Sequence, residues 1–214
     1  MLEEVKERLS FMQFTPNRML VVGDPTGLLA AELQQPQRKV ERVLGGSWNG
    51  DIPLDFEPFD LILFDTSLAT INDLPGALLH LRQALQPGGL LIASLVGAGS
   101  LPALRSAILA AEPDRPYPRL HPMIDNRTAS ALLQRAGFAR QVVDTHTVTV
   151  RYRALQRLVS DLRDQALGNI LVDRAPSLNR AALVRGEEAF RALADEDGRV
   201  SERFEIITLT AWRS

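Results

Sequence analysis

Gly23-Asp24-Pro25-Thr26-Gly27 is the first stretch whose residue types could do chemistry. Glycines at both ends permit a tight turn, and a turn feeding a helix N-terminus lets a ligand approach backbone N–H groups. The same five residues also suit an ordinary strand-to-helix turn. Asp65 closes the apolar run FDLILF, with Ser67 two residues on. Ligands of open α/β sheets sit at such strand ends, so Asp65 either binds one or caps its own loop. His121 lies among Pro116, Pro118 and Pro122, with Arg119 and Asp125 near. It reads as a general base beside a substrate, or as a hinge residue. Arg151 and Tyr152 end a strand and Arg163 follows on a helix. Together they could bind a carboxylate or phosphate, unless their charges are simply solvated. Asp144 and His146 share one strand face, which is a weak metal pair. The chain has only three histidines and no cysteine, so no metal site is expected, and no residue is assigned as catalytic.

These residues need elements to hold them. Helical spacing covers residues 2–13, with Val5, Leu9 and Met12 on one side. RMLVV (18–22) is a short strand, and Leu28 to Leu33 starts a helix that Pro36 ends. Strand, glycine turn and helix open a βαβ unit. A short strand is expected at 39–45 and a loop at 45–58, where Trp48 either covers a site or marks a partner contact. A strand buried on both faces is expected at 59–65. A helix is expected at 71–85, capped by Asn72 or Asp73 and stopped by Gln86-Pro87-Gly88-Gly89. A strand at 90–96 and a helix at 101–111 follow. Residues 112–127 form a proline-rich excursion or lid. Then come a helix at 128–136, a Val- and Thr-rich strand at 141–152, helices at 155–167 and 177–194, and a last strand at 204–212.

The whole reads as one α/β domain over residues 1–214: a Rossmann-like, mostly parallel sheet with helices on both faces and an antiparallel C-terminal edge. Lys and Arg number 24 against 26 Asp and Glu, so nothing in the charge calls for nucleic acid as a partner. No run approaches the roughly 20 apolar residues of a membrane span, and MLEEVKERLS is not an apolar leader. A cytoplasmic location is the expectation. The oligomeric state is open.

Four features line up in order: the glycine loop, FDLILFD, LQPGGLLIAS, and ALLQRAGF before a β-rich end. In that order they resemble class I S-adenosylmethionine-dependent methyltransferases. SLATINDLPGALLHLRQALQPGG, VVDTHTVTVRY, DLRDQALGN and FEIITLTAW are similar to one branch of that family. It holds the malonyl carrier-protein O-methyltransferase of biotin synthesis and a mitochondrial complex I assembly factor that hydroxylates an arginine. The resemblance implies S-adenosylmethionine as cofactor and a protein or carrier-linked substrate. It places Gly23, Asp24, Gly27, Asp65 and Ser67 at the cofactor, Asp24 where an acid meets an ammonium group. His121, Arg151 and Tyr152 are assigned to the substrate by their own chemistry rather than by the resemblance.

Three places depart from the family pattern. The middle glycine of the loop is Pro25, which has no N–H, adds bulk and should hold Asp24 in an extended conformation. The acid expected at the end of the second strand, for the ribose hydroxyls, has only Glu41, Asp51, Asp55 and Glu57 as candidates. Residues 28–58 are too few for a helix, a strand, a second helix and a third strand, so part of that set is missing. A polar-aromatic pair expected after FDLILFD is Ala69-Thr70. All three meet one cofactor, so the reading is a methyltransferase-like protein with an eroded cofactor site. The alternative is a non-catalytic assembly or binding protein that keeps the fold as a docking surface.

Overall fold

A computed structural model describes residues 2–44, 47–114, 116–165, 167–169 and 175–214. The helices are α1 (Leu2–Phe11), α2 (Leu28–Leu33), α3 (Leu74–Ala84), α4 (Pro102–Ala111), α5 (Asn126–Arg135), α6 (Leu155–Asp164) and α7 (Arg180–Arg191). The strands are β1 (Arg18–Val22), β2 (Lys39–Val43), β3 (Phe59–Phe64), β4 (Leu85–Val96), β5 (Phe138–Tyr152) and β6 (Val200–Arg213). They form one six-stranded sheet in the order β2-β1-β3-β4-β6-β5. β1 pairs with β2 and β3, and β3 with β4, all in parallel. The C-terminal strands are antiparallel.

The chain forms two compact units. The first comprises Met1–Leu95, Asn126–Asp144 and Ile207–Ser214. Its inner parallel strands β1, β3 and the second half of β4 are nearly continuous apolar runs because both faces are covered, whereas the outer β2 is polar and part-exposed. On one face Val5 and Leu9 of α1 and Leu29 and Leu33 of α2 pack on Met19, Val21, Leu61 and Leu63. The Asp60 carboxylate accepts the N–H groups of Asn17 (2.7 Å) and Arg18 (2.8 Å) and so fixes where β1 starts. Asp73 caps α3 by accepting the Gly76 N–H at 3.0 Å.

The second unit comprises Val96–Asp125 and Thr145–Ile206. Leu104 and Ala107 of α4, Leu158 and Leu162 of α6, and Phe190 of α7 form its core. Gly186 lets α7 close on α4: a Cβ there would lie 3.2 Å from the Ala107 carbonyl oxygen. Glu202 is wholly buried, and its carboxylate accepts the N–H groups of Ala103 (3.2 Å) and Leu104 (2.8 Å) at the start of α4. Burial raises its pKa above the ordinary 4.5, although backbone donors pull the other way. Described residues of 112–125 adopt neither helix nor strand.

Among the described residues between α2 and β3 only β2 forms, as the expected strand at 39–45 and loop at 45–58 have it. Described residues 47–58 hold no helix or further strand, so β2 is the sheet's outer strand. Pro87-Gly88-Gly89 lies inside β4 rather than before it: Leu85 already pairs with Phe59, and the ladder shifts register between Phe59 and Leu61. Asp24 is not extended despite preceding proline. Its φ is +50°, a left-handed conformation that Asp tolerates better than bulkier residues. Part of the 155–167 helix expectation, at residue 166, lies outside the described residues, as do residues 45–46 of the expected loop.

Candidate functional site

The parallel ladder ends with Val22 beside both Val43 and Phe64. This brings the glycine turn, the end of β2 and Asp65 to one end of the first unit's sheet. Gly23 has φ +95° and donates its N–H to the Val43 carbonyl at 2.9 Å. A Cβ on Gly23 would lie 2.1 Å from the Asp65 carboxyl carbon, so that carboxylate fills the space the glycine leaves. It accepts the N–H groups of Asp24 at 3.1 Å and Ser67 at 2.9 Å, and the Ser67 hydroxyl at 2.5 Å.

Asp24 is equally committed. Its carboxylate accepts the Leu29 N–H at 3.2 Å and the Ala30 N–H at 2.9 Å, capping α2. It is buried, at 6% exposure. Gly27, φ +72°, precedes that helix, and a Cβ there would lie 2.8 Å from an Nη of Arg42. Gly23, Asp24, Gly27, Asp65 and Ser67 therefore gather in one turn, and both carboxylates face backbone donors of the chain itself. Sequence reading missed Arg42, since a lone arginine on a short polar strand carries no local signal.

The end of β2 offers Val43 and Leu44, where an acid was sought. Glu41 is two register steps short of that end, opposite Leu20. Its carboxylate accepts Arg18 at 2.8 Å and lies 3.2 Å from Lys39, both at the far end of the strands. Asp51 accepts an N–H from Asn49, and Glu57 pairs with Arg18. Trp48, which sequence left between a cover and a partner contact, is 7% exposed. Its ring centroid lies 6.0 Å from that of Phe64, and its indole N–H donates to the Ile52 carbonyl at 2.8 Å. Gly50 presses on α3: a Cβ there would lie 2.8 Å from the Ala77 Cβ. The stretch 47–52 thus folds over the end of β3. Ala69 and Thr70 lie in a single 3-10 turn, with the Thr70 hydroxyl on the Ser67 carbonyl.

The substrate candidates lie in the second unit. Arg151 and Tyr152 are adjacent on β5 and take opposite faces. The Arg151 guanidinium is tied to Asp195 and, at 2.9 Å, to Asp197. Tyr152 is buried beside Asp161, and burial pushes its phenol up. Both border a shallow recess with Arg153, Arg157 and Arg199, whereas Arg163 lines a different cavity. His121 is half-buried in the proline-rich stretch. Asp144, in the first unit, accepts Arg8 at 2.7 Å.

A mostly parallel sheet with a glycine turn after its first strand and an antiparallel C-terminal edge defines a Rossmann-like methyltransferase fold. A family model described as a methyltransferase domain matches residues 2–143. The chain belongs to that family, the S-adenosylmethionine-dependent class I methyltransferases. It is 31% identical over 166 residues to the zebrafish (Danio rerio) protein named arginine-hydroxylase NDUFAF5, mitochondrial, covering 76% of this chain and 52% of that one. It is 29% identical over 195 residues to a malonyl-[acyl-carrier protein] O-methyltransferase of Xylella fastidiosa, covering 86% of this chain and 65% of that one. The chain thus spans about half to two thirds of the length of these relatives. A crystal structure of a candidate methyltransferase from Bacillus halodurans has the same fold, with a TM-score of 0.59 at 14% identity over 99% of each chain.

Proposed function

We propose that this chain is a methyltransferase-fold binding protein that does not use S-adenosylmethionine. The observation that carries this reading is the Asp65 carboxylate seated against Gly23. A cofactor's amino-acid end would need that place, and it would meet a carboxylate already satisfied by three donors. Two further facts support it: Val43 and Leu44 stand where a ribose acid is required, and Trp48 covers Phe64. The residues present do not fit the group, so no methyl-transfer step is assigned.

The partner follows from the relatives only by analogy. One is named for a carrier-linked substrate and another for an arginine. Both point to a protein, or a group borne on one, docking on this fold as a non-catalytic assembly or binding function.

Calorimetric titration with S-adenosylmethionine and S-adenosylhomocysteine tests the reading. No heat and no thermal stabilisation at millimolar ligand is the expected result. Micromolar binding of either ligand would overturn it, and would mean that Asp65 swings out of the glycine turn.

A further inference from the structure

The second unit holds a cavity of about 540 Å³ that the glycine turn and Asp65 do not touch. That size lies within the usual range of small-molecule sites. Leu104, Ile108, Leu155, Val159, Leu162 and Leu183 give it an aliphatic wall. Among the described residues lining it there is no aromatic ring, so nothing offers a flat ligand a stacking surface. Nor is there any acid, and the two charged groups are both arginines.

The two arginines are not equivalent. Arg119 is half-buried and clamped by Glu112 at 2.5 and 2.6 Å, with a third bond to the Pro176 carbonyl. That pairing lowers the Glu112 pKa and raises that of Arg119. Asn169 donates to the Pro118 carbonyl at 3.0 Å. Arg163 is exposed at the end of α6, and no hydrogen bond or ion pair ties it among the described residues. Among its described lining residues the cavity therefore presents one uncommitted cation, Arg163, beside an aliphatic chamber.

We propose that this cavity binds a straight-chain aliphatic carboxylate, with its chain among the leucines and its carboxylate on Arg163. An aliphatic wall of this kind discriminates by chain length, because each further methylene buried tightens binding. It rejects sugars, whose hydroxyls would be buried without partners. The Arg163 guanidinium suits a single carboxylate, which it can hold with two parallel bonds.

The probe is decanoate, titrated into the full chain without S-adenosylmethionine, so that the outcome is separate from the cofactor reading. Hexanoate, decanol and 2-naphthoate are the comparisons. Decanoate is expected to bind at least tenfold more tightly than each of them. Arg163→Gln, on an exposed side chain, is expected to weaken decanoate at least tenfold and leave decanol unchanged. Val159→Phe is expected to abolish decanoate binding by filling the chamber, with its melting curve as the check on folding. Three results would overturn the proposal: no decanoate binding, binding that ignores both substitutions, or 2-naphthoate equal to decanoate.

Discussion

Gly23 and Glu202 are the two residues on which the ends of the site and of α4 turn. Gly23 combines φ +95° with a Cβ position 2.1 Å from the Asp65 carboxyl carbon. Gly23→Ala should therefore lose at least about 2 kcal/mol, from backbone strain and from displacing Asp65. Urea unfolding measures this; a neutral result would show that Asp65 yields freely. Glu202 gives a pH signature. Its folded pKa lies above the unfolded 4.5 because burial disfavours the charge. The folded state then holds its proton to higher pH than the unfolded chain does. Its contribution to stability is full below the unfolded pKa and is lost as pH rises through the folded one. Against Glu202→Gln, which cannot titrate, wild-type stability should fall progressively as pH rises above 4.5. A gap independent of pH, or one moving the other way, would contradict this.

At the scale of elements, the stretch 47–52 replaces a helix and a strand. It closes the end of β3 with one large side chain, Trp48, packed on Phe64 and tied to Ile52. Trp48→Ala should cost about 3–4 kcal/mol, as for other buried aromatics, and thermal melting is the readout. A shift below about one kcal/mol would mean that the stretch is held by Gly50 and His80 instead, the His80 ring lying 2.9 Å from the Gly50 carbonyl. How legible this was differs along the chain. β1, β3 and α2 could be read because continuous apolar runs and glycine or proline stops are local signals. That part of the expected set is missing was legible as arithmetic on residues 28–58, but which part was not. The place of Trp48 was not, because it depends on Phe64 across the sheet end. Asp65 was legible as a strand-end acid able to cap its own loop at Ser67, but its bond to Asp24, 41 residues away in sequence, follows from backbone geometry that no spacing encodes. Arg163 was grouped with Arg151 by sequence proximity, whereas the fold gives them separate recesses.

For the whole molecule, the question is whether the two units unfold as one. The chain passes between them four times: at the end of β4 (Leu95 and Val96), inside β5 (Asp144 and Thr145), inside β6 (Ile206 and Ile207), and only once outside a strand, at Asp125 and Asn126. A strand is a poor place for a boundary, because half of it cannot melt without stripping hydrogen bonds from the remainder. One cooperative transition is the expectation, in keeping with a single domain over residues 1–214. The positions of two residue types make the test clean. Both tryptophans, Trp48 and Trp212, belong to the first unit, while Gly186 and its neighbour Ala107 belong to the second. Gly186→Val drives two methyl groups at the Ala107 carbonyl, where a Cβ alone would lie at 3.2 Å, and such overpacking costs about 1–3 kcal/mol. In a cooperative molecule the tryptophan fluorescence midpoint in urea falls together with hydrogen-exchange protection of α4 and α7. If α4 and α7 lose protection while the tryptophan midpoint stays put, the units are separate folding domains. In that case the cavity beside Arg163 could be tuned without disturbing the glycine turn.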